Sequence, residues 1–414
     1  MAERPLWRRV LVGVGRTGVA LVSVAALAGT GYVWSLYRSL STDLTTSDVL
    51  ASRPADPVPS QVRRSYTALL VGMDSRTDAH GDALSPELLS EIHAGDDAGE
   101  LHTDTIMLVR VPADPHQPVV TVSFPRDSYV ALADGSGKHK INGAYGRAYR
   151  AEEQRLRAQG VTGADLDRRG REAGRAALVA TVEQASGVTI DHYAEINLAG
   201  FVELTDTLGG VPVCLTKAVD DRAYSGVDLP AGPQRVTGAA ALAFVRQRHG
   251  LDGGDLDRIT RQQAFLAGLA HQVLGAGTLT DPGKVHDLLG VVTDYVVLDS
   301  GWDLQQLVGQ LGTIAGADVV FRTIPTIRPD LYTPYDGVAV EVDDAAVRDF
   351  VHTVLFSDAR ADSTTAPTTS AVPEPTDTTR VRASGPTATS TVPTPRNPWT
   401  DRPLIDAAAV PCVN

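Results

Sequence analysis

The sequence predicts an α/β or α+β sandwich behind a single N-terminal transmembrane helix. Short runs rich in β-branched residues alternate with longer stretches of helix-forming residues, the pattern of strands packed against helices. One long, uncharged and mostly apolar run lies close to the N-terminus. The last part of the chain is dominated by Thr, Ser, Pro and Ala, and is too poor in large apolar residues to form a core.

The apolar run covers residues 17–37, which matches the ~20 residues that a helix needs to cross a bilayer. Arginines precede it, and Trp34 and Tyr37 lie at its far end, where aromatic residues favour the membrane interface. The positive-inside rule then predicts a cytoplasmic tail over 1–16 and places the rest of the chain outside the cell membrane. A cleaved signal peptide is the alternative, but the run is long for one and no A-x-A site follows at once.

Four segments are predicted beyond this helix. Residues 38–64 contain three prolines among small and polar residues and are predicted to form a stalk. The folded domain is predicted over 65–355, and a disordered Ser/Thr/Pro-rich segment, open to O-glycosylation, over 356–403. The segment 404–414 regains apolar residues. The net charge of −13 argues against a general nucleic-acid binder.

The first half of the folded domain begins with three predicted strands, YTALLVG, TIMLVRV and PVVTVSF, each bounded by turn residues. The acidic stretch 77–100 between the first two is predicted to be a surface loop. Residues 143–186 are rich in Ala, Arg, Glu and Leu, which predicts one or two helices. Residues 192–215 predict a strand, a helix, a Gly-Gly turn and a strand.

The second half contains the run 244–263, FVRQRHGLDGGDLDRITRQQ, which holds four arginines in an acidic chain. Arg246 and Arg248 are predicted on a strand, where side chains two apart face the same way. A helix is predicted to follow the Gly-Gly turn from Asp255 or Asp257. Further along, the pattern predicts a helix, strands at VVFRTIPT and GVAVEV, and a last helix from Asp343.

The arginines of this run are candidates for an oxyanion site. On the predicted helix Arg258, Arg261 and Gln262 are three or four residues apart, so they share a face. Planar guanidinium groups that converge from a strand and the helix after it suit a phosphate or pyrophosphate. A solvated, salt-bridged surface is the alternative for this charge run.

Other charged residues follow or precede predicted strands. Asp74 follows the first strand, Asp104 precedes the second, and Arg126 comes just past the third. Lys140 lies at the mouth of a predicted helix. Because sites in α/β folds form at strand ends, we expect these side chains to lie together. Two carboxylates with no His or Cys cluster favour a hard cation, and the sequence therefore predicts Mg²⁺.

The motifs VGMDSR, HTDT, SFPRD, KINGAY, LGGVPV and FVRQRHG…GDLDRITRQQ, in this order behind an N-terminal anchor, resemble the LytR–CpsA–Psr family. The resemblance runs from about Tyr66 to Leu269. It implies an α-β-α sandwich around a mixed central sheet, with an apolar groove for a polyprenyl chain. It also implies a bacterial enzyme, Gram-positive or actinobacterial, that transfers a glycopolymer from a polyprenyl-pyrophosphate carrier to peptidoglycan through a phosphodiester.

The resemblance implies roles for the matching positions. The implied catalytic residues are Arg126, Arg246, Arg248, Asp255 and Arg258; the implied pyrophosphate contacts are Arg76, His102, Lys140, Arg261 and Gln262; the implied magnesium ligands are Asp74 and Asp104. The family usually has Arg where this chain has His102, which makes that contact dependent on pH because imidazole titrates near neutrality. The general base stays open between Asp74 and Asp127.

Two other functions remain open at this stage. A lipid pyrophosphate phosphatase would share the metal and the arginines but would need no acceptor sugar. A non-catalytic surface receptor would bind a polyanionic polymer or lipid phosphate, although Asp74 and Asp104 would repel such a ligand. A cytoplasmic transcription regulator is excluded by the predicted location and by the absence of a basic DNA-binding segment from the sequence.

The two cysteines, Cys214 and Cys412, both lie on the predicted outer side of the membrane, where a disulfide persists. A chain end that regains apolar residues after a disordered stretch is expected to dock on the folded domain, and a disulfide would lock it there. The alternative is two unrelated thiols, with Cys214 simply buried.

Overall fold

The structure, a computed structural model of the 414-residue chain, describes residues 44–51, 64–94, 101–114, 116–247, 250–251, 255–275, 277–278, 281–302, 318–356, 405–406 and 410–414. The predicted transmembrane helix and almost all of the Ser/Thr/Pro-rich segment lie outside these residues. Among the described helices, none combines the length and the apolar character that crossing a bilayer requires.

The described residues form strands and helices that alternate along the chain. The strands are β1 Thr45–Ser47, β2 Tyr66–Asp74, β3 His102–Val111, β4 Val119–Phe124, β5 Ser128–Ala131, β6 Lys138–Lys140, β7 His192–Ile196, β8 Val211–Leu215, β9 Val219–Asp221, β10 Val227–Leu229, β11 Gly232–Val236, β12 Val296–Asp299, β13 Val319–Thr323, β14 Arg328–Thr333, β15 Gly337–Glu341, β16 Ile405–Asp406 and β17 Cys412–Val413. The helices are α1 Pro86–Glu91, α2 Gly143–Ala158, α3 Gly163–Ser186, α4 Leu198–Thr207, α5 Gly238–Arg246, α6 Asp255–Gly275, α7 Pro282–Tyr295 and α8 Asp344–Phe356.

Eight strands form one mixed sheet, in the order β1-β12-β7-β2-β3-β4-β13-β16. The pairs β1–β12, β7–β2 and β4–β13 are parallel. The other four pairs are antiparallel. The mixed central sheet that the resemblance implied is therefore confirmed. The described residues form three smaller sheets as well, β10-β9, β11-β8-β17 and β14-β15-β5-β6.

Side chains that alternate along the central strands divide the core into two layers. Leu69, Val71 and Met73 of β2 belong to one apolar cluster, together with residues of α2, α3 and α8. Ala68 of the same strand belongs to the other cluster, together with residues of α4, α5 and α6, among them Phe265. Helices thus cover both faces of the sheet, which is the expected α-β-α arrangement.

Most of the predicted elements are present, but three assignments were wrong. Arg246 ends helix α5 instead of lying on a strand, because the Ala- and Leu-rich run before it continues as a helix whose residues 241–245 are all buried. Asp104 is the third residue of β3 instead of preceding it. The predicted loop 77–100 contains α1, which starts at a Ser85 N-cap followed by Pro86.

Part of the predicted stalk belongs to the folded domain. Strand β1 pairs in parallel with β12 at one edge of the central sheet. The hydroxyl of Ser47 donates a 2.7 Å hydrogen bond to Glu172 of α3, and Leu50 is buried in the core. A short polar segment gives no local signal that it will pair with a strand more than 200 residues away, so the sequence alone predicted a linker here.

The chain end docks as expected. Strand β17 lies parallel to β8 with Cys412 directly opposite Cys214, and the two cysteines form a disulfide. The amide of Thr216 donates a 2.8 Å hydrogen bond to the carbonyl oxygen of Val413. Cys214 is buried and Cys412 is exposed, so the bond joins a covered strand to a surface strand.

We expect this disulfide to stabilise the fold. The two cysteines are 198 residues apart, a separation for which the chain-entropy model gives about 5 kcal/mol at most. The double variant Cys214→Ser/Cys412→Ser should therefore unfold at a lower urea concentration than the oxidised parent. Alkylation of the unfolded, unreduced chain should add no label to the parent and one label to Cys412→Ser. Two labels on the parent protein would contradict the bond.

Candidate active site

Three neighbouring strands bring the first charged residues together. Asp74 ends β2 and lies opposite His102 in the antiparallel β2–β3 ladder. Asp104 is two residues further along β3, at the irregularity where the ladder shifts register between Gly72 and Met73. Arg126 follows β4, the next strand, and its Nη1 donates a hydrogen bond to Oδ1 of Asp104. The predicted meeting of these side chains at one end of the sheet is present.

The two aspartates have opposite electrostatic environments. Burial raises the pKa of Asp74 and the nearby Asp104 raises it further, an effect only partly opposed by Arg246, Arg76 and Arg126. Burial also acts to raise the pKa of Asp104, but the charges of Arg126, Arg258 and Arg246 outweigh it and hold that pKa below its usual range. One carboxylate is therefore well compensated and the other is not.

Arg246 and Arg258 are carried by helices α5 and α6, which cover one face of the central sheet. Arg246 ends α5, where its Nη2 lies 4.0 Å from Oδ2 of Asp74 and its Nη1 donates a 3.3 Å hydrogen bond to the carbonyl oxygen of Ile92. Arg258 lies on the first turn of α6, and its side chain is almost completely buried. The alternative of a solvated surface is therefore wrong for Arg258, whose burial requires nearby negative charge.

A second ion-pair group extends the site beyond Arg126. Nε of Arg126 lies 3.8 Å from Oδ2 of Asp127, and Nζ of Lys140 lies 3.3 Å from Oδ1 of the same carboxylate. Lys140 ends β6, and Asn142 is the N-cap position of α2, as the sequence predicted. Arg126 therefore stands between two carboxylates, Asp104 and Asp127.

Arg261 lies in different surroundings, although it shares α6 with Arg258. Its Nε donates to the backbone oxygen of Asn414 and its Nη1 to the side-chain oxygen of Gln247. Its guanidinium carbon lies 5.2 Å from the centre of the Phe244 ring. Burial lowers the pKa of Arg261 to about 10, so the group remains protonated near neutral pH. These contacts join it to the docked chain end.

The remaining predicted residues are placed as follows. Arg76 lies with Nη1 3.9 Å from Oδ1 of Asp74, and its Nη2 donates to the carbonyl oxygen of Ala94. Gln262 donates a 3.4 Å hydrogen bond to the carbonyl oxygen of Val245. Asp255 is the first residue of α6, and Arg248 lies outside the described residues, so its role stays a prediction.

An apolar cavity of about 210 Å³ opens beside the charged cluster. It lies between the central strands β2 and β7 and the helices α4, α5 and α6. Its apolar lining includes Leu70, Ile196, Leu198, Phe201, Leu242, Val245, Phe265 and Leu266, and its charged lining includes Asp104 and Arg246. Leu70 is 36% exposed although it lies in the middle of a central strand, where a side chain is normally covered.

Gln263 is a site-supporting residue that the sequence reasoning did not identify. Its Nε2 lies 3.1 Å from Oγ of Ser123 and 2.9 Å from Oγ1 of Thr323, so it ties α6 to the ends of β4 and β13. The local signal in the sequence was a second glutamine directly after Gln262 in the arginine run. Which strands it would reach could not be read from that signal.

The residues present fit a magnesium ion. Oδ1 of Asp74 is buried and accepts no hydrogen bond from the described residues, and the two aspartates repel each other. The described residues contain no group of three or more His, Cys, Asp or Glu side chains that could hold a metal. Two carboxylates are nevertheless what Mg²⁺ uses when substrate phosphates supply further ligands.

Comparison with known proteins now decides the family. The model of the LytR_cpsA_psr family matches residues 36–344. The chain belongs to the LytR–CpsA–Psr family. The crystal structure of protein gbs0355 from Streptococcus agalactiae has a TM-score of 0.51 and 18% sequence identity, and covers 71% of this chain and 88% of that one. This likeness supports a common mixed α/β fold.

Two relatives of this LytR–CpsA–Psr chain have informative names. Cell wall biosynthesis protein LcpA of Corynebacterium glutamicum is 46% identical over 288 residues, which are 69% of this chain and 55% of that protein. The chain thus spans about half the length of this relative. Polyisoprenyl-teichoic acid–peptidoglycan teichoic acid transferase TagU of Oceanobacillus iheyensis is 27% identical over 309 residues, 72% of this chain and 80% of that protein.

The contrast between the two aspartates predicts opposite effects on stability. Because the pKa of Asp74 is raised in the folded protein, its protonated form favours folding at low pH. The free energy of unfolding therefore falls as the pH rises through the raised pKa. Asp74→Asn should therefore increase the free energy of unfolding at pH 7. The lowered pKa of Asp104 favours folding above its unfolded value and loses this contribution as the pH falls. Asp104→Asn should cost roughly 3 kcal/mol at pH 7, as when one partner of a buried ion pair is removed.

Urea unfolding of both variants at pH 7 and at pH 4 measures these effects. The gain in the free energy of unfolding that Asp74→Asn shows over the parent protein at pH 7 should be smaller at pH 4. Asp220→Asn is the matched control, because Asp220 is ion-paired with Arg222 on the surface. A loss of stability in Asp74→Asn equal to that in Asp104→Asn would contradict the assigned electrostatics.

Proposed function

We propose that this protein is a membrane-anchored, extracytoplasmic phosphotransferase that attaches a glycopolymer from a polyprenyl-pyrophosphate carrier to peptidoglycan. The observation that carries the proposal is the apolar cavity with Asp104 and Arg246 at its charged end. A ligand that fits it has a long apolar part and a strongly anionic head. A lipid pyrophosphate has both, with the lipid among the side chains near Leu70 and the pyrophosphate among the guanidinium groups.

The arginines would bind and stabilise the transferring phosphoryl group. Negative charge develops on its oxygens in the transition state, and preorganised cations in a partly buried site stabilise that charge strongly. Arg126 lies at the cavity end through its pair with Asp104, and Arg246 and Arg258 reach the same carboxylate from the other layer. Groups held by fixed carboxylates need little reorganisation when the substrate enters.

Asp74 and Asp104 are the residues that would hold Mg²⁺. When bound there, the ion would neutralise charge on the pyrophosphate and on the departing lipid phosphate. The buried oxygen of Asp74 and the raised pKa of that carboxyl both favour the arrival of a cation. Removal of divalent ions by EDTA should therefore lower the rate, and added Mg²⁺ should restore it.

The acceptor and the location of the protein are proposed from the relatives. TagU is named for transfer of teichoic acid from a polyisoprenyl carrier to peptidoglycan, and LcpA for cell wall biosynthesis. An enzyme of this kind needs its domain outside the membrane, with residues 17–37 as the anchor and 1–16 in the cytoplasm. The glycopolymer of this protein would differ according to the cell wall that it serves.

The proposal is tested by incubating the full-length protein with a radiolabelled lipid-pyrophosphate glycan, Mg²⁺ and soluble peptidoglycan fragments. We expect label to appear on the fragments through a phosphodiester. Release of labelled sugar phosphate at the same rate with and without acceptor would indicate a phosphatase instead. Tight donor binding without any turnover would indicate a receptor.

The surroundings of two arginines on α6 predict unequal effects on transfer. Arg258→Met removes a cation that acts on Asp104, and the transfer rate should fall roughly 100-fold or more. Arg261→Met changes contacts to Asn414 and Gln247, so the rate should fall by less than about tenfold. The initial rate of label transfer measures both. Equal losses would contradict the separate roles assigned to these two side chains.

A further inference from the structure

The hairpin of β14 and β15 exposes large side chains close to the site. Tyr332 is 78% exposed and Tyr335 is 85% exposed, the highest values among the exposed large apolar residues of the described chain. Val338 lies directly opposite Tyr332 in the hairpin ladder and is 56% exposed. Aromatic side chains are enriched at interaction surfaces relative to the rest of a protein surface.

This hairpin is fixed to the segments that carry the catalytic cations. The amide of Val340 donates a 2.8 Å hydrogen bond to the carbonyl oxygen of Asp127, the residue after Arg126. At the hairpin turn, Oδ2 of Asp336 lies 2.8 Å from Nδ1 of His139, the residue before Lys140.

A third contact completes this attachment. Arg147 of α2 donates a 3.0 Å hydrogen bond through Nη2 to Oδ1 of Asp336. The turn between the two strands is therefore held by both a strand residue and a helix residue. Tyr335, which precedes Asp336, is presented on a turn that is fixed from two sides.

The polar residues of the hairpin limit what it can bind. Arg328 and Glu341 form a 2.6 Å ion pair across its two strands, and the carboxylate of Asp330 is exposed. Carboxylates repel a polyanionic chain or an anionic lipid surface. They also accept hydrogen bonds from hydroxyl groups, and tyrosine rings offer flat apolar faces with a polar edge. A sugar chain has hydroxyl groups and apolar C–H faces in alternation.

The geometry of phosphoryl transfer requires the acceptor to approach from the side of the phosphorus opposite the lipid. The attacking and leaving oxygens lie roughly in line on opposite sides of the phosphorus. In the proposed function the leaving group is the lipid phosphate, whose lipid lies in the cavity under α4, α5 and α6. The hairpin packs against the other layer of the core, to which Val340 belongs. An acceptor held there would reach the phosphoryl group from the side away from the cavity.

We propose that the exposed tyrosine hairpin binds the glycan strand of the acceptor, with Tyr332 and Tyr335 stacked against its sugar rings. The inference rests on the proposed function and names the surface that selects its second substrate. Transfer requires the acceptor hydroxyl to give its proton to a general base, Asp74 or Asp127, and its oxygen to bond to phosphorus, while the bridging P–O bond breaks and the lipid phosphate leaves with the electron pair. The hairpin takes no part in that step, since it holds the sugar that carries the hydroxyl.

The test is a titration of the full-length protein with soluble glycan fragments of peptidoglycan, followed by calorimetry. The double variant Tyr332→Ala/Tyr335→Ala should bind the fragments roughly tenfold more weakly, since each aromatic contact is worth a few-fold in affinity. Tyr332→Phe/Tyr335→Phe should keep the affinity within about threefold, because the stacking faces remain. Tyr224→Ala, a change at an exposed tyrosine elsewhere, should leave the affinity unchanged.

Three measurements keep the inference separate from the proposed function. Donor binding and thermal unfolding should be the same in the double variant and the parent, and the KM for the acceptor should rise in the transfer assay. Unchanged glycan affinity in the double variant would overturn the inference, as would a loss of binding to phospholipid vesicles in its place. A parent protein that binds glycan through the hairpin but transfers nothing would overturn the proposed function and leave the surface standing.

Discussion

The charge of Asp104 is the constraint on which the rest of the site depends. Its carboxylate is mostly buried, and such a group stays ionised most readily when cations surround it. Arg126, which follows β4, donates a hydrogen bond to it, and the charges of Arg258 on α6 and Arg246 at the end of α5 stabilise its ionised form. The central sheet and two helices of one covering layer thus contribute cations around one mostly buried negative charge.

Asp74 shows the cost of building such a site. Its raised pKa means that ionisation of this carboxyl is less favourable in the folded protein than in the unfolded chain, chiefly because it is buried. A core residue with this property would reduce stability without benefit. In the proposed function the same property would favour cation binding, because an incoming cation would relieve the repulsion between the two aspartates. Functional sites commonly keep such unfavourable groups at the expense of stability.

The site is supported from two further directions. Gln263 ties α6 to the central sheet through Ser123 and Thr323, which fixes the helix that carries Arg258. On the same helix, Arg261 donates a hydrogen bond to the backbone oxygen of Asn414 at the chain end. The disulfide joins that end to β8. The chain end therefore contacts the helix that carries Arg258, although it lies about 150 residues away in sequence.

The sequence by itself determined the strands β2, β3 and β4, the helices of residues 143–186 and the family, because these depend on local periodicity and on ordered motifs. The tertiary structure alone decided which arginines meet. Arg258 and Arg261 are three residues apart on one helix, yet one faces Asp104 and the other the chain end. Spacing along a helix fixes the angle between two side chains but not what packs against each, since that depends on contacts between residues distant in sequence. For the same reason only the folded chain shows that β1 completes the sheet and that the tyrosine hairpin lies beside Asp127.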